Sequence, residues 1–236
     1  MGNMYPSTKT WGIFTGCSFS CEYCKPSFQR QVRRVARKIK CLDCYNYYPH
    51  AHPERRFRIP SAENVFVAGT GDISFCEPGY VWGCIFWAID NHRPRKPKTY
   101  LFQSKAPSCF KQYLPWFKKH QDKVILLTTL ETNRDKGYDL ISKAPPPSVR
   151  FLDFYALDYP RKVLTIEPVM DFDHEQMVQM VLDLKEQGSL LYVWFGYDSK
   201  NCGLPEPSVE KAQRLVDALK WYGVEVRGET LRGVKV

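Results

Sequence analysis

From Asn64 onward, short apolar runs alternate with longer stretches whose apolar residues recur every three or four positions. The runs at 65–68, 99–102, 123–127, 163–166 and 190–195 read as buried strands, and 224–226 as a candidate last one. An earlier apolar run at 11–14, broken by Thr15-Gly16, reads as a short strand feeding a loop. Helical spacing predicts helices over 79–89, with Trp82, Ile85, Phe86 and Ile89 inward, and over 107–119, with Phe110, Tyr113 and Phe117 inward. Residues 148–157 read as another helix. Asp173 is placed to cap a helix that runs to Gln187, with Met177, Met180, Val181 and Leu184 inward and Gly188 as its stop. Residues 208–222 form the last predicted helix.

Alternation of this kind implies right-handed parallel βαβ units. Polar residues and glycines gather at the carboxyl ends of the strands: Gly69-Thr70-Gly71-Asp72, Gln103-Ser104-Lys105, Thr128 to Asn133, Glu167-Pro168 and Gly196-Tyr197-Asp198. In parallel α/β barrels, sites sit at that end. With about six strands instead of eight, the expected fold is α/β, a partial (β/α)6 TIM-like barrel. An open doubly wound sheet has almost the same texture and stays as an alternative. The chain reads as a single domain over 1–236, with a Cys/His-containing insertion at about 41–60.

The N-terminal third has a different texture. In 28–40, Val32, Val35, Ala36 and Ile39 mark one helix face, and Arg30, Arg33, Arg34 and Arg37 another. The arginines form either a solvated face or a contact for phosphates. Net charge is +9, from 34 basic and 25 acidic residues, which favours an anionic partner such as nucleic acid. Hydrophobic content of 44% and six tryptophans exclude a disordered chain. No apolar run reaches the length of a membrane span. The first six residues carry no secretory pattern, and Pro6 stands where an acylated Gly2 would need a hydroxyl residue. A cytoplasmic location is expected. Nine cysteines there argue for metal or redox use.

Cys17, Cys21 and Cys24 stand as C-x3-C-x2-C. Three thiolates on one short loop can hold three corners of a cubane iron–sulfur cluster, whereas most clusters use four cysteines. The fourth iron would then be open to a ligand. Rival arrangements exist. Cys21, Cys24, Cys41 and Cys44 have zinc-site spacing, but that set leaves Cys17 unused. Cys41, Cys44, His50 and His52 are a candidate second metal site of Cys2His2 type, since histidines two apart can both ligate from extended chain. Cys41 and Cys44 as a free dithiol, and 52–55 as a purely structural connection, are the remaining readings. No Ser–His–Asp set, P-loop or glycosidase carboxylate pair can be assembled.

With Tyr23 just before Cys24, the loop resembles that of the radical S-adenosylmethionine (radical SAM) enzymes. The resemblance continues in Thr15-Gly16-Cys17, in the His-Pro-Glu-Arg at 52–55, in Lys105, in Thr129 with Glu131, and in Glu167-Pro168. It is nearest to a phage- and archaea-associated radical SAM group similar to spore photoproduct lyase. This implies a [4Fe–4S] cluster on Cys17, Cys21 and Cys24, SAM as cofactor and an external electron donor. It also implies reductive cleavage of SAM to a 5′-deoxyadenosyl radical that takes hydrogen from a substrate, the protein supplying position and shelter. By the same resemblance, the backbone around Tyr23 contacts the adenine. Gly69, Thr70, Gly71 and Asp72 stand where many members have Gly-Gly-Glu for the SAM amino group. Lys105 meets the SAM carboxylate, Glu131 the ribose, and Glu167 or Thr165 lines the pocket, with Thr129 also counted among the cofactor-binding residues. Phe14, Phe19, Phe66 and Phe102 are expected to shield the site. One departure stands out: spore photoproduct lyase carries a hydrogen-donating cysteine in Cys-Thr-Ser-Asp, and the matching run at 69–72 has none, with Cys76 displaced. Thymine-dimer repair by that route is therefore not expected. The leading expectation is a radical SAM enzyme acting on nucleic acid or on a protein bound to it. The alternative is a zinc-stabilised nucleic-acid-binding module without catalysis.

Overall fold

The computed structural model describes residues 8–236. The reading of the first six residues lies outside that range. In chain order the strands are β1 (Thr8–Trp11), β2 (Phe14–Gly16), β3 (His50–Ala51), β4 (Asn64–Val67), β5 (Thr70–Gly71), β6 (Thr99–Gln103), β7 (Val124–Thr129), β8 (Lys162–Ile166), β9 (Leu190–Phe195) and β10 (Val226–Gly228). Seven of them form one parallel sheet in the order β1-β4-β6-β7-β8-β9-β10. Each strand lies beside the next main-sheet strand in the chain. A doubly wound sheet reverses its order at a switch point, and this one never does. The fold is the curled, partial barrel, with seven strands where about six were expected.

The seventh is the candidate strand at the carboxyl end, formed at Val226–Gly228, and the amino-terminal strand departs from the run predicted for it. The apolar run at 11–14 does not enter the barrel as one piece. Residues 8–11 pair with β4, and 14–16 leave the sheet to form β2. Trp11 is buried beside this break, its indole Nε1 donating to the Arg55 carbonyl at 2.9 Å, while Arg55 Nη1 donates to the Gly12 carbonyl at 2.9 Å.

Parallel strands covered on both sides read as continuous apolar runs, so periodicity does not say which side each residue takes. Pairing register does. Phe66 aligns with Leu101 and Leu101 with Ile125; Gln103 aligns with Leu127, Leu127 with Val163 and Val163 with Tyr192; Thr129 aligns with Thr165 and Thr165 with Trp194. Leu101, Ile125, Leu127, Val163, Tyr192 and Trp194 pack together with Phe66 on one face. The other face carries Val65, Val67, Phe102, Leu126, Leu164, Val193 and Phe195, packed with helix residues such as Phe86, Phe117, Val181 and Leu215. Phe102 therefore does not face the same way as Phe66. It meets the rings of Phe86 and Phe117 in the helix layer.

The helices follow the predicted spacing, with local corrections. Met177, Met180, Val181 and Leu184 are buried on the His174–Glu186 helix. Trp82, expected inward, is exposed, while Ile85, Phe86 and Ile89 are buried. In the Arg30–Ile39 helix only Val32 and Ala36 are buried; Val35 and Ile39 are exposed, so its apolar stripe is half the expected width. No helix among the described residues is long and apolar enough to cross a membrane.

A second, small sheet has the order β3-β2-β5. β2 runs antiparallel to β3 and parallel to β5, pairing Thr15 with His50 and Gly16 with Gly71. Gly16 has a φ of +94°, and a Cβ there would lie 2.0 Å from the Tyr48 carbonyl oxygen. A Cβ on Gly71 would lie 2.7 Å from the Gly16 carbonyl oxygen. Only glycine permits this backbone contact. The insertion at 41–60 thus folds back onto the strand that leads into Cys17.

Candidate functional site

Cys17 follows β2 directly. Cys21 precedes a short turn, Glu22–Cys24, which runs through a π turn, Lys25–Gln29, into the Arg30–Ile39 helix. Backbone bonds fix the loop from the far side of the fold: Glu22 N–H donates to the Ile141 carbonyl at 3.0 Å, and Lys143 N–H to the Phe19 carbonyl at 2.7 Å. Phe19, Cys21 and Tyr23 pack with Tyr138, Met170 and Leu204, and Phe75 lies against the Phe19 ring at 4.7 Å. Of the four phenylalanines expected to shield the cysteines, Phe19 is the one in their own apolar cluster.

The thiols are electrically unequal. Cys21 has Ser142 Oγ at 3.1 Å and Lys105 Nζ at 3.3 Å. A hydrogen bond from Cys24 and the charge of Lys105 pull Cys21 down to about 6 against its burial. The same contact with Cys21, together with burial, pushes Cys24 up, and burial pushes Cys17 up. Without a metal the loop favours one thiolate; coordination deprotonates thiols outright.

Behind Cys21 lies Glu131, fully buried at the exit of β7. Lys105 Nζ and the Tyr23 hydroxyl both donate to its Oε1. The Tyr138 hydroxyl reaches both oxygens, at 3.1 and 3.2 Å. Arg150 Nη1 donates to Oε2 at 2.8 Å and to the Thr129 carbonyl at 2.7 Å. Burial alone would raise Glu131, but Arg150 and Lys105 outweigh it and hold the group down at about 2. Both oxygens accept from this internal set of donors. Two buried cations share one carboxylate, which leaves a positive excess facing Cys21.

Asp72 is similarly engaged. Its Oδ1 accepts from Ser74 N–H (3.0 Å), Ser74 Oγ (2.7 Å) and Ser104 Oγ (2.7 Å), and its Oδ2 from Lys105 N–H (2.9 Å). It joins the exit of β5 to that of β6 and so sets the start of the Lys105 segment. Gly69 packs against the Phe66 ring, and Thr70 Oγ1 lies 3.3 Å from Thr15 Oγ1. Thr129 accepts from Gln103 Nε2 at 2.5 Å. Thr165 and Trp194 complete that row, and Trp194 Nε1 donates to Glu167 Oε2. The structure thus brings Cys21, Tyr23, Lys105 and Glu131 into one contact network, with Asp72 bonded to the backbone of Lys105. Thr129, Thr165 and Glu167 lie in a neighbouring row.

Arg150, Tyr138, Ser142 and Trp194 were not among the site residues expected from the sequence. Arg150 was findable: Pro147, Arg150, Phe151 and Phe154 fall at helical spacing, and all four are buried on the Pro147–Tyr155 helix. A lone arginine on a buried stripe requires a buried counter-charge. Two clefts at the amino ends of the strands, one around Lys96, Lys98 and Lys123 and one around Asp158 and Gln187, contain none of the predicted site residues.

Burial raises Glu167 from its ordinary 4.5 to about 7. The folded state therefore binds its proton more tightly between those values. The stability this contributes is complete below about pH 4.5 and is lost as pH rises through about 7. Glu167→Gln is expected to melt increasingly above the parent as pH goes from about 5 to 8. Thermal melts across that range check it; a constant offset between the two proteins would exclude the effect.

Cys41 and Cys44 do not join Cys21 and Cys24. Among the described residues, the one group of three or more His, Cys, Asp or Glu ligand atoms converging within 4.8 Å is Cys41, Cys44, His50 and His52. The four-cysteine zinc arrangement does not form. Nor do Cys17, Cys21 and Cys24 all lie within that distance of one another.

No family model and no curated protein sequence matches this chain. Among solved structures, two variants of spore photoproduct lyase, one with a cysteine changed to alanine and one with a tyrosine changed to phenylalanine, superpose with a TM-score of 0.55 at 14% identity. The alignments cover 93% and 92% of this chain, and 76% and 75% of the lyase chains. At that identity the likeness is one of fold: the chain has the partial barrel of the radical SAM type.

Proposed function

We propose that this protein is a radical SAM enzyme. The observation that carries the reading is the Cys17–Cys21–Cys24 loop held in the same network as Lys105, Glu131 and Arg150, at the carboxyl end of a partial parallel barrel. The donor set fits a [4Fe–4S] cluster: three cysteines on one short loop, with the Lys105 ammonium beside Cys21 favouring its thiolate. The chemistry a cluster and SAM supply when bound is reductive cleavage of SAM, giving a 5′-deoxyadenosyl group that takes hydrogen from a substrate.

The chain's own residues bind, orient and exclude water. Cys17, Cys21 and Cys24 hold the cluster. Tyr23 and the backbone of Gly69, Thr70 and Gly71 border the SAM site. Lys105 supplies positive charge for an anionic group of SAM. Glu131 is a positioning residue: it holds Lys105 and the Tyr23 hydroxyl, and Asp72 holds the Lys105 backbone. Thr129, Thr165 and Glu167 line the pocket, and Phe19 and Phe75 keep water from the loop. An external donor supplies the electron. The cytoplasm, which keeps thiols reduced, suits nine free cysteines. Anaerobic reconstitution with iron and sulfide, then chemical reduction with SAM present, is expected to release 5′-deoxyadenosine. A reconstituted cluster that leaves SAM intact would refute the assignment.

The substrate reading is nucleic acid or a protein bound to it. Arg30, Arg33, Arg34 and Arg37 are all exposed on the Arg30–Ile39 helix, with Tyr45 at its edge, on a chain of net charge +9. Binding to duplex DNA is expected to weaken with salt, and each phosphate contact removed should lower the log–log salt slope by about 0.9. Neutralising the four arginines to glutamine checks this by fluorescence anisotropy across salt. Binding indifferent to both changes would sink the nucleic-acid reading.

A further inference from the structure

We infer that Cys41, Cys44, His50 and His52 bind a structural zinc ion, separate from the three-cysteine loop, and that this ion clamps β3 onto β2. The His50 Nε2 lies 3.4 Å from Cys41 Sγ and 3.3 Å from Cys44 Sγ, and the His52 Nε2 lies 3.3 Å from Cys44 Sγ. Tetrahedral zinc with its usual Zn–S and Zn–N lengths separates sulfur from nitrogen by about 3.5 Å. Four donors are thus set at ligand-to-ligand distance around one point.

Local structure explains the convergence. Cys41 precedes the short Leu42–Asn46 helix, and the Cys44 N–H donates to Cys41 Sγ at 3.4 Å, turning both thiols to one side. β3 is extended at His50–Ala51, and residues two apart in a strand project to the same face. The outer nitrogens are also arranged. His50 Nδ1 faces the Tyr48 carbonyl at 2.8 Å, and His52 Nδ1 faces the Glu54 carboxylate at 3.0 Å. Both are acceptors only, so each Nδ1 carries the proton and each Nε2 turns a lone pair toward the thiols. This outer shell is what orients zinc-binding histidines, and a pair of thiols in contact with two imidazoles does not need it.

Two thiolates and two imidazoles select zinc over hard cations, and a complete protein ligand set marks a structural, closed site. Cys44 and His52 are buried, with Cys41 and His50 half-buried. The position gives the ion its role. β3 pairs with β2, and the His52 N–H donates to the Ile13 carbonyl at 2.8 Å. β2 ends at Gly16, one residue before Cys17, and Cys17 packs against the apolar cluster that contains Cys44. Fixing β3 therefore fixes the entry to the three-cysteine loop.

The test measures zinc and iron independently on the full chain, so a failed zinc assignment and a failed radical SAM assignment give different results. Protein purified without oxygen is expected to hold one equivalent of zinc. Cys17→Ala/Cys21→Ala/Cys24→Ala should lose iron and keep the zinc. Cys41→Ala/Cys44→Ala should lose at least tenfold in zinc occupancy. His52→Cys, which recreates a Cys3His set, should keep zinc where His52→Ala does not. Cobalt exchanged into the parent protein should give the intense visible bands of a tetrahedral thiolate site, needing no mutant to fold. Zinc lost with Cys17, Cys21 and Cys24, cobalt bands of six-coordinate type, or free alkylation of Cys41 and Cys44 in zinc-supplemented protein would each overturn the inference.

Discussion

Cys21→Ala is expected to abolish the cluster and, with it, release of 5′-deoxyadenosine. Cys21 is the most buried of the three loop cysteines, and it alone touches both Lys105 and Ser142. Its loss removes one protein ligand of three and places an alanine methyl against the Lys105 ammonium. Changes in the groups that merely support metal ligands typically cost 10–100-fold, so loss of a ligand should exceed about 100-fold. Iron, sulfide and visible absorbance after reconstitution report the cluster, and chromatography reports the nucleoside. Because alanine fills much of the same space, the secondary structure should persist by circular dichroism. A folded Cys21→Ala protein that keeps a full iron and sulfide complement would remove the basis for assigning the cluster to this loop.

Glu131→Leu is expected to be the most destabilising single change in the site. Leucine strands Lys105 and Arg150 in the interior as two unpaired cations. Arg150 is fully buried, and its Nε and Nη2 have no hydrogen-bond partner among the described residues. Removing one partner of a buried ion pair costs about 3–5 kcal/mol. In a chain of this size that lowers the melting temperature by roughly 10–15 °C. Adding Arg150→Met to Glu131→Leu should recover part of the loss, because one stranded charge disappears and only Lys105 remains. Thermal melts of the two single variants and the double give the coupling; strict additivity would mean the pair does not interact. The pH dependence has a definite sign. Glu131 is held at about 2 against an ordinary 4.5, so its contribution is present above about pH 4.5 and fades as pH falls toward 2.

Much of the architecture was readable from residue order. The strand and helix alternation gave the partial barrel, because a parallel sheet covered by helices needs continuous apolar strands and amphipathic helices in turn. The three-cysteine spacing marked the candidate site. Errors gathered where one pattern fits two arrangements. Phe66 and Phe102 are both apolar strand residues, yet they face opposite sides, since a parallel strand buried on both faces hides its parity. Val35 and Ile39 have core spacing but remain exposed, because a helix stripe is buried only as far as a neighbour covers it.

The identities of the chemical groups were therefore fixed by sequence alone: three thiols in eight residues, a second pair of thiols, two histidines two apart, and carboxylates at strand ends. Their partners were decided only by the tertiary structure. Folding joined Glu131 to Tyr23 across 108 positions and to Arg150 across 19, and made a strand-end carboxylate the centre of a buried charge cluster. It also sent Cys41 and Cys44 to His50 and His52 instead of to Cys21 and Cys24. The reason is physical. Local spacing sets which face of a strand or turn a donor occupies, but a charge or thiol is satisfied by whatever the closed chain brings within about 3 Å.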